Sequence, residues 1–221
     1  MMPLHHGMAA EPTVLYVFGA GGHGREISSY IDDLRRAGWR GELQGVLDDG
    51  VMAGQHGRIR VLGPIDGPLD LVGGYITAIG DNRLRREIVE RITARYGDAL
   101  RPWTLFHPRS YVGEDVEIGD GGCIAPGAIV TAGVRIGRHC IVNVNASISH
   151  DCAIGDFVNV NPGAVVCGSV RIGEGAYIGA GAVLRERVTI GAWSTVGAGA
   201  VVVRDVPPSV TAVGIPARVA G

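Results

Sequence analysis

Aliphatic residues recur along the second half of the chain with a period of six. From Val112 the series runs Ile118, Ile124, Val130, Ile136, Val142, Ile148, Ile154, Val160, Val166, Ile172, Ile178, Leu184, Ile190, Val196 and Val202, without a slip. A small or aliphatic residue stands two places before most of them, as at Ala128, Val134, Cys140, Ala146, Cys152, Val158 and Ala164. Residues two apart on a strand face the same side, so each hexad predicts one short strand with two inward side chains. A longer period overlies the first. Ile-Gly recurs every eighteen residues, at Ile118-Gly119, Ile136-Gly137, Ile154-Gly155, Ile172-Gly173 and Ile190-Gly191. Three hexads therefore close one coil, and the coils stack into a triangular parallel β-helix of about five turns, each rising by ~4.8 Å. Glycine after each isoleucine is expected to supply positive φ at a corner. No regular threonine face marks a purely structural solenoid. Asn143 and Asn161, eighteen apart, suit either a stacked ladder or a functional pair.

The first half of the chain has a different rhythm. "TVLYVFGAGGHGREISSYIDDLRRAG" runs from an apolar strand through a glycine loop into an amphipathic helix, "ELQGVLDDG" reads as a second strand, and "YITAIGDNRLRREIVERI" as strand, turn and helix. This pattern predicts a small Rossmann-like β/α domain with a parallel sheet. The expected organisation is a loose tail over 1–12, the β/α domain over 13–105, the β-helix over 106–206, and a proline-interrupted tail over 207–221 that wraps the last coil.

Gly19, Gly21 and Gly24 satisfy GxGxxG between strand and helix, and Asp48 and Asp49 end the next strand. Such glycines let a phosphate approach the backbone at a helix N-terminus. The domain is too short for two mononucleotide halves, which favours a nucleoside mono- or diphosphate over NAD; a tight turn needing glycine only for packing is the alternative.

Composition narrows the classes. Lys and Arg total 20 against 22 Asp and Glu, for a net charge of −2. With no basic run, nucleic acid is not an expected partner. No apolar stretch approaches the ~18 residues of a membrane span, and the first ten residues lack the apolar centre of a signal peptide. The 4 cysteines, Cys123, Cys140, Cys152 and Cys167, form no CxxC pair. Core thiols, no metal and a cytoplasmic location are the expectation. His139 and His150, eleven apart, are badly phased for a shared metal.

Taken together, "FGAGGHG", "LDD", "AIGDN", "SHDCAIGDF" within the hexads and "VGIPAR" resemble the nucleotide-sugar acetyltransferases, the family of bacillosamine and perosamine N-acetyltransferases and sialic acid O-acetyltransferase-like proteins. The resemblance spans residues 13–219. It implies a left-handed β-helix, a homotrimer, and acetyl-CoA held in a groove between neighbouring prisms. Carried onto this sequence, the family's base falls on His150 and its acidic helper, often glutamate, on Asp151. The nucleotide-sugar site falls on Gly21, Gly22, His23, Asp48, Asp49 and Gly80. The acetyl-CoA positions fall on Asn159, Gly168, Ala180 and Ala198, with Asn159 departing from the histidine of some members.

The chemistry suits these residue types. Acetyl transfer from a thioester to a sugar amine requires mainly a deprotonated nucleophile held beside the carbonyl. A histidine accepts that proton near neutral pH, and a carboxylate orients the ring. Gly168, one coil above His150, is a candidate oxyanion donor. His139 is expected on the surface, His107 in a structural role, and His23 either contacts substrate or caps the helix. O-acetylation of a sugar hydroxyl and a non-catalytic nucleotide-binding scaffold are the other readings. Among bases, uridine is the first expectation.

Overall fold

The computed structural model describes residues 11–67 and 69–220. Most of the expected N-terminal tail, residues 1–10, lies outside them. The chain divides into two compact units whose boundary falls between Pro108 and Arg109.

The first unit is built on a six-stranded sheet. Its strands are β1 (Val14–Phe18), β2 (Glu42–Leu47), β3 (Gly54–His56), β4 (Ile59–Gly63), β5 (Gly73–Thr77) and β6 (Leu100–Pro102), in the order β3-β4-β2-β1-β5-β6. Every pairing is parallel except β3 with β4, which close an antiparallel edge hairpin. Helix α1 (Gly22–Arg36) follows β1 and α2 (Asn82–Tyr96) follows β5. Phe18, Leu47 and Tyr75 form one core cluster with Ile88, Ile92 and Tyr96 of α2. Strand alternation turns Val17, Val46 and Ile76 to the opposite face, for which α1 supplies Ile27, Tyr30 and Ile31. The chain leaves β1 toward β2 on one side and returns at β5 on the other, so the carboxyl end of β1 is a topological switch point.

The second unit is the parallel β-helix. Its first face stacks Tyr111–Val112, Ile129–Val130, Ser147–Ile148, Val165–Val166, Val183–Leu184 and Val201–Val202; its second stacks Glu117–Ile118, Arg135–Ile136, Ala153–Ile154, Arg171–Ile172 and Thr189–Ile190. The third runs from Cys123–Ile124 through Asn159–Val160 and Tyr177–Ile178 to Thr211–Gly214, where an antiparallel strand, Ala217–Val219, ends it. Partners are eighteen apart, as in Ile129↔Ser147 and Ser147↔Val165, until the last pairing of the third face, Thr195↔Thr211, which is sixteen. The aliphatic column is buried from Ile124 to Val202, and Ala128, Val134, Ala146, Val158 and Ala164 before it are 0% exposed.

The corners work differently from the sequence expectation. None of the glycines after isoleucine has positive φ. Left-handed backbone falls instead on every sixth residue from Asp115 to Gly199, a series that includes His139, Asn145, Asp151, Phe157, Ser169, Arg187 and Trp193. The glycines after isoleucine answer a steric demand from the next coil. A Cβ at Gly155 would stand 2.7 Å from Glu174 N, and one at Gly173 2.5 Å from Ala192 N. His139 is also corrected: it is 5% exposed and stacks on Phe157 with ring centroids 5.2 Å apart. Its left-handed corner lays the ring along the stack over Gly121, where a Cβ would meet Nδ1 at 2.2 Å.

The two kinds of glycine should respond differently to substitution. Gly155→Ala is expected to cost about 1–3 kcal/mol through overpacking against backbone. Gly163→Asn should be near neutral, because asparagine tolerates the left-handed region and a Cβ there meets nothing within 4 Å. Thermal melts of both variants check this; equal melting temperatures would overturn the steric account.

Candidate active site

The residues expected to hold a nucleotide converge at one end of the first unit's sheet. Gly21 and Gly22 follow β1, Asp48 and Asp49 follow β2, and Gly80 follows β5, all at carboxyl ends beside the switch point. The glycines of the loop divide by cause. Gly19 has φ +114 and a Cβ on it would strike Ala78 O at 2.8 Å; one on Gly24 would strike Gly19 O at 2.1 Å. Both are demanded by internal packing. A Cβ on Gly21 or Gly80 would meet nothing within 4 Å, and one on Gly22 only Arg25 Nη2 at 3.9 Å. This side of the loop is open, and nothing within the described chain requires glycine at 21, which caps α1 without a side-chain bond.

The carboxylates shape the loops around that opening. Asp48 Oδ2 accepts from Ala20 N at 2.7 Å and Oδ1 from Gly50 N at 2.8 Å, fixing the glycine loop to the end of β2. Asp49 Oδ1 accepts from Ile65 N at 2.9 Å, and its Oδ2 from Arg91 Nη1 at 2.8 Å. Arg91 also donates to Asp66. The Arg91 hydrogen bond holds Asp49 below the ordinary carboxylate pKa, against a desolvation that raises it. Sequence reasoning missed Arg91, which no spacing or motif singles out among the arginines of α2. His23 Nδ1 lies 3.0 Å from Glu26 Oε2. Its Nε2, and Thr77 Oγ1 at the end of β5, are buried without a hydrogen-bond partner among the described residues. Buried polar atoms left so are exceptions that call for an explanation. His107 is 1% exposed, 3.0 Å from Asp33 Oδ2, edge-on to Tyr30.

In the β-helix, His150 and Asp151 occupy the corner between the first and second faces. Asp151 takes the left-handed position, φ +61, one that aspartate tolerates. His150 Nδ1 and Asp151 Oδ2 are 2.8 Å apart, and both side chains are exposed. With Nδ1–H donating to the carboxylate, Nε2 carries the lone pair. The ring lies over Gly168 of the next coil: a Cβ there would stand 2.7 Å from Nε2. Cys152, two residues on, donates to the Cys167 carbonyl at 3.2 Å, and burial pushes its thiol pKa up. It is held as a thiol rather than poised as a nucleophile.

The remaining acetyl-CoA positions lie elsewhere on the prism. Ala180 and Ala198 are exposed and stack at the corner between the third and first faces, where Gly199 N donates to Ala180 O at 2.8 Å. Asn159 is on the third face, 2% exposed. The structure thus joins His150, Asp151 and Gly168 on one edge of the first face, sets Ala180 and Ala198 on its other edge, and leaves Asn159 apart from both. Among the described residues no group of three or more His, Cys, Asp or Glu is placed to hold a metal ion, and no helix is long and apolar enough to cross a membrane.

An α/β unit with an open glycine loop, followed by a parallel β-helix with a His–Asp pair on one edge, defines a hexapeptide-repeat transferase. Residues 14–92 match the PglD N-terminal domain family, and residues 169–204 the bacterial transferase hexapeptide family of six repeats. The acetyltransferase domain of PglB from Neisseria gonorrhoeae FA1090, solved also with acetyl coenzyme A, is 33% identical over 94% of this chain and 100% of that one, with a TM-score of 0.82. PerB from Caulobacter crescentus, in complex with CoA and GDP-perosamine, is 32% identical over 94% and 97%, with a TM-score of 0.80. GDP-perosamine N-acetyltransferase of Escherichia coli O157:H7 is 33% identical over 139 residues, a segment that spans 61% of either chain. The chain belongs to the hexapeptide-repeat nucleotide-sugar acetyltransferase family, and its β-helix is left-handed.

The Asp49 clasp predicts an acid-sensitive term in stability. A depressed folded-state pKa contributes stability above the unfolded value, 3.8, and loses it as pH falls through the folded value. Asp49→Asn should melt below wild type at pH 7, by at most about 1 kcal/mol for so exposed a pair, with the gap closing below about pH 4. Melts at pH 7 and pH 3 check it; a gap that stays constant would remove the ion pair as its cause.

Proposed function

We propose that the protein transfers the acetyl group of acetyl-CoA to the amino group of a nucleotide-linked amino-deoxysugar, with His150 as general base and Asp151 as its orienting partner. The observation that carries the reading is the 2.8 Å pair of His150 Nδ1 and Asp151 Oδ2, which leaves Nε2 as proton acceptor over the bare Cα of Gly168. Relatives solved with acetyl coenzyme A, and with CoA and GDP-perosamine, support the donor and the substrate class. They move the first candidate for the base from uridine to guanosine, and they favour an amine over a hydroxyl as acceptor.

The donor supplies a thioester with a good leaving group. His150 Nε2 takes the proton of the sugar amine as nitrogen attacks the carbonyl carbon. The C–N bond forms, the C–S bond breaks, and the imidazolium returns the proton to the departing thiolate. Asp151 keeps the ring in the tautomer this needs. The sugar nucleotide binds across the carboxyl ends of β1, β2 and β5, its diphosphate on the open amides of Gly21 and Gly22 with His23 alongside, and Gly80 bordering the sugar. Asp48 and Asp49 serve that site by holding its loops.

The reading includes a homotrimer with acetyl-CoA bound between copies. Outward side chains of the first face are apolar except at Ser147: Tyr111, Ile129 and Val165 are 59%, 44% and 37% exposed, and Val183 and Val201 continue the stripe. The second face presents Glu117, Arg135 and Arg171 instead. A ring of three prisms about the apolar face sets the His150 edge of one copy against the Ala180 and Ala198 edge of the next, a head-to-tail contact that closes. Reduced cysteines suit a cytoplasmic enzyme.

His150→Ala should lower kcat by roughly 10²–10⁴ while leaving assembly and acetyl-CoA affinity intact, and Asp151→Asn should cost less. CoA release against GDP-, UDP-, dTDP- and CMP-linked amino sugars measures both and identifies the acceptor. Near-normal turnover of His150→Ala would sink the mechanism. Light scattering should return about three times the 23.0 kDa chain mass, and Val165→Glu a monomer that no longer binds acetyl-CoA. A wild-type monomer at micromolar concentration would overturn the shared groove.

A further inference from the structure

Among the described residues Arg85 is the largest wholly buried side chain, at 0% exposure. It sits one turn into α2, and its Nη1 donates to the carbonyl of Ile79 at 2.7 Å. Ile79 immediately precedes Gly80 in the loop from β5 to α2. We infer that Arg85 is a positioning residue for the sugar-nucleotide site, fixing the Ile79–Gly80 peptide at the height the ligand requires.

Burying a guanidinium is costly, and apolar side chains of similar volume often replace buried ionic groups at no loss of stability. Packing alone therefore gives little reason for arginine here. The loop supplies one reason. Gly80 has no side chain to anchor it, and a Cβ there would meet nothing within 4 Å. The far side of the loop is fixed by Asp81, whose side chain caps α2 at Leu84 N, 2.8 Å away. The near side is fixed by Ala78, which donates to Phe18 O at 2.7 Å and whose carbonyl leaves no room for a Cβ on Gly19. Between them the Ile79 carbonyl is held by Arg85. The other two loops at this end are held by charged side chains too, the glycine loop by Asp48 and the end of β2 by Asp49 with Arg91. Helix α2 thus braces two of the three loops, one through buried Arg85 and the other through the partly exposed Arg91.

This inference rests on the nucleotide-sugar reading of the first unit, and the experiment separates the two. GDP and UDP are titrated by calorimetry into wild-type protein, Arg85→Met and Arg85→Lys, with acetyl-CoA as a second ligand. Wild type should bind at least one of the nucleotides. Arg85→Met should weaken that binding by roughly 10- to 100-fold, the cost of a misplaced positioning group, leave acetyl-CoA affinity within twofold, and speed amide exchange in residues 78–84 but not in β1 or β2. Arg85→Lys, which keeps a donor, should recover part of the affinity. If Arg85→Met does not fold, Arg85→Gln takes its place with the same expected direction. Wild type binding neither nucleotide would overturn the nucleotide reading and this inference with it. Wild type binding while the variants bind equally well, or a loss shared by acetyl-CoA, would overturn the role of Arg85 alone.

Discussion

The eighteen-residue register between coils is the constraint on which the β-helix and its chemistry depend. Each hexad donates to the coil ahead: Ile129 N to Ala146 O at 2.9 Å, Ser147 N to Ala164 O at 2.9 Å, Val165 N to Ala182 O at 2.8 Å. That ladder stacks the aliphatic column into a core with no aromatic residue at its column positions. It also sets His150 over Gly168 and Asp151 over Ser169. A one-residue slip would turn every inward side chain outward, so the backbone position of His150 is as fixed as the core itself.

A site on such a frame costs little to keep rigid. Asp151 occupies a left-handed corner that some residue must occupy in every hexad, and aspartate tolerates it better than the Phe157 or Trp193 found at equivalent corners. The pair with His150 therefore arises from neighbours in sequence held by the coil. The first unit reaches rigidity by another route. Its loops lie beyond the sheet and have no ladder to hold them, so charged side chains reach back to backbone groups: Asp48 to Ala20, Asp49 to Ile65, Arg85 to Ile79. In both units the glycines that touch neighbouring backbone are structural and many others hold positive φ; Gly21 and Gly80, open and without positive φ, are the ones left to a ligand.

The largely apolar first face lies between the two edges on which the proposed acetyl-transfer positions fall. Within one chain these edges are separated by the width of the face, and the intervening side chains Ile129, Val165 and Val183 are of the kind that proteins cover rather than solvate. Under the proposed trimer, assembly around that face would make burial of the stripe and completion of the groove one event, and activity inseparable from oligomerisation.

Much of this was legible in the amino-acid sequence because periodicity is a local statement of a global repeat. The hexads, the eighteen-residue coil, the β/α alternation and the glycine loop follow from spacing and residue type; the prominence of His150 comes from the family resemblance around it. What spacing could not tell was which glycine served which purpose. The Ile-Gly glycines yield to the next coil's backbone, while positive φ falls on other corners, including His139 and Asp151. Nor could it reveal that His139 is buried, that Asn159 stands apart from the His150 edge, or that Arg85 and Arg91 reach under the loops. Each of these depends on contact between residues distant along the chain. Sequence fixes what alternates along a strand or helix; close approach between coils, and between a helix and a loop, is decided only when the backbone has folded and excluded volume selects what fits.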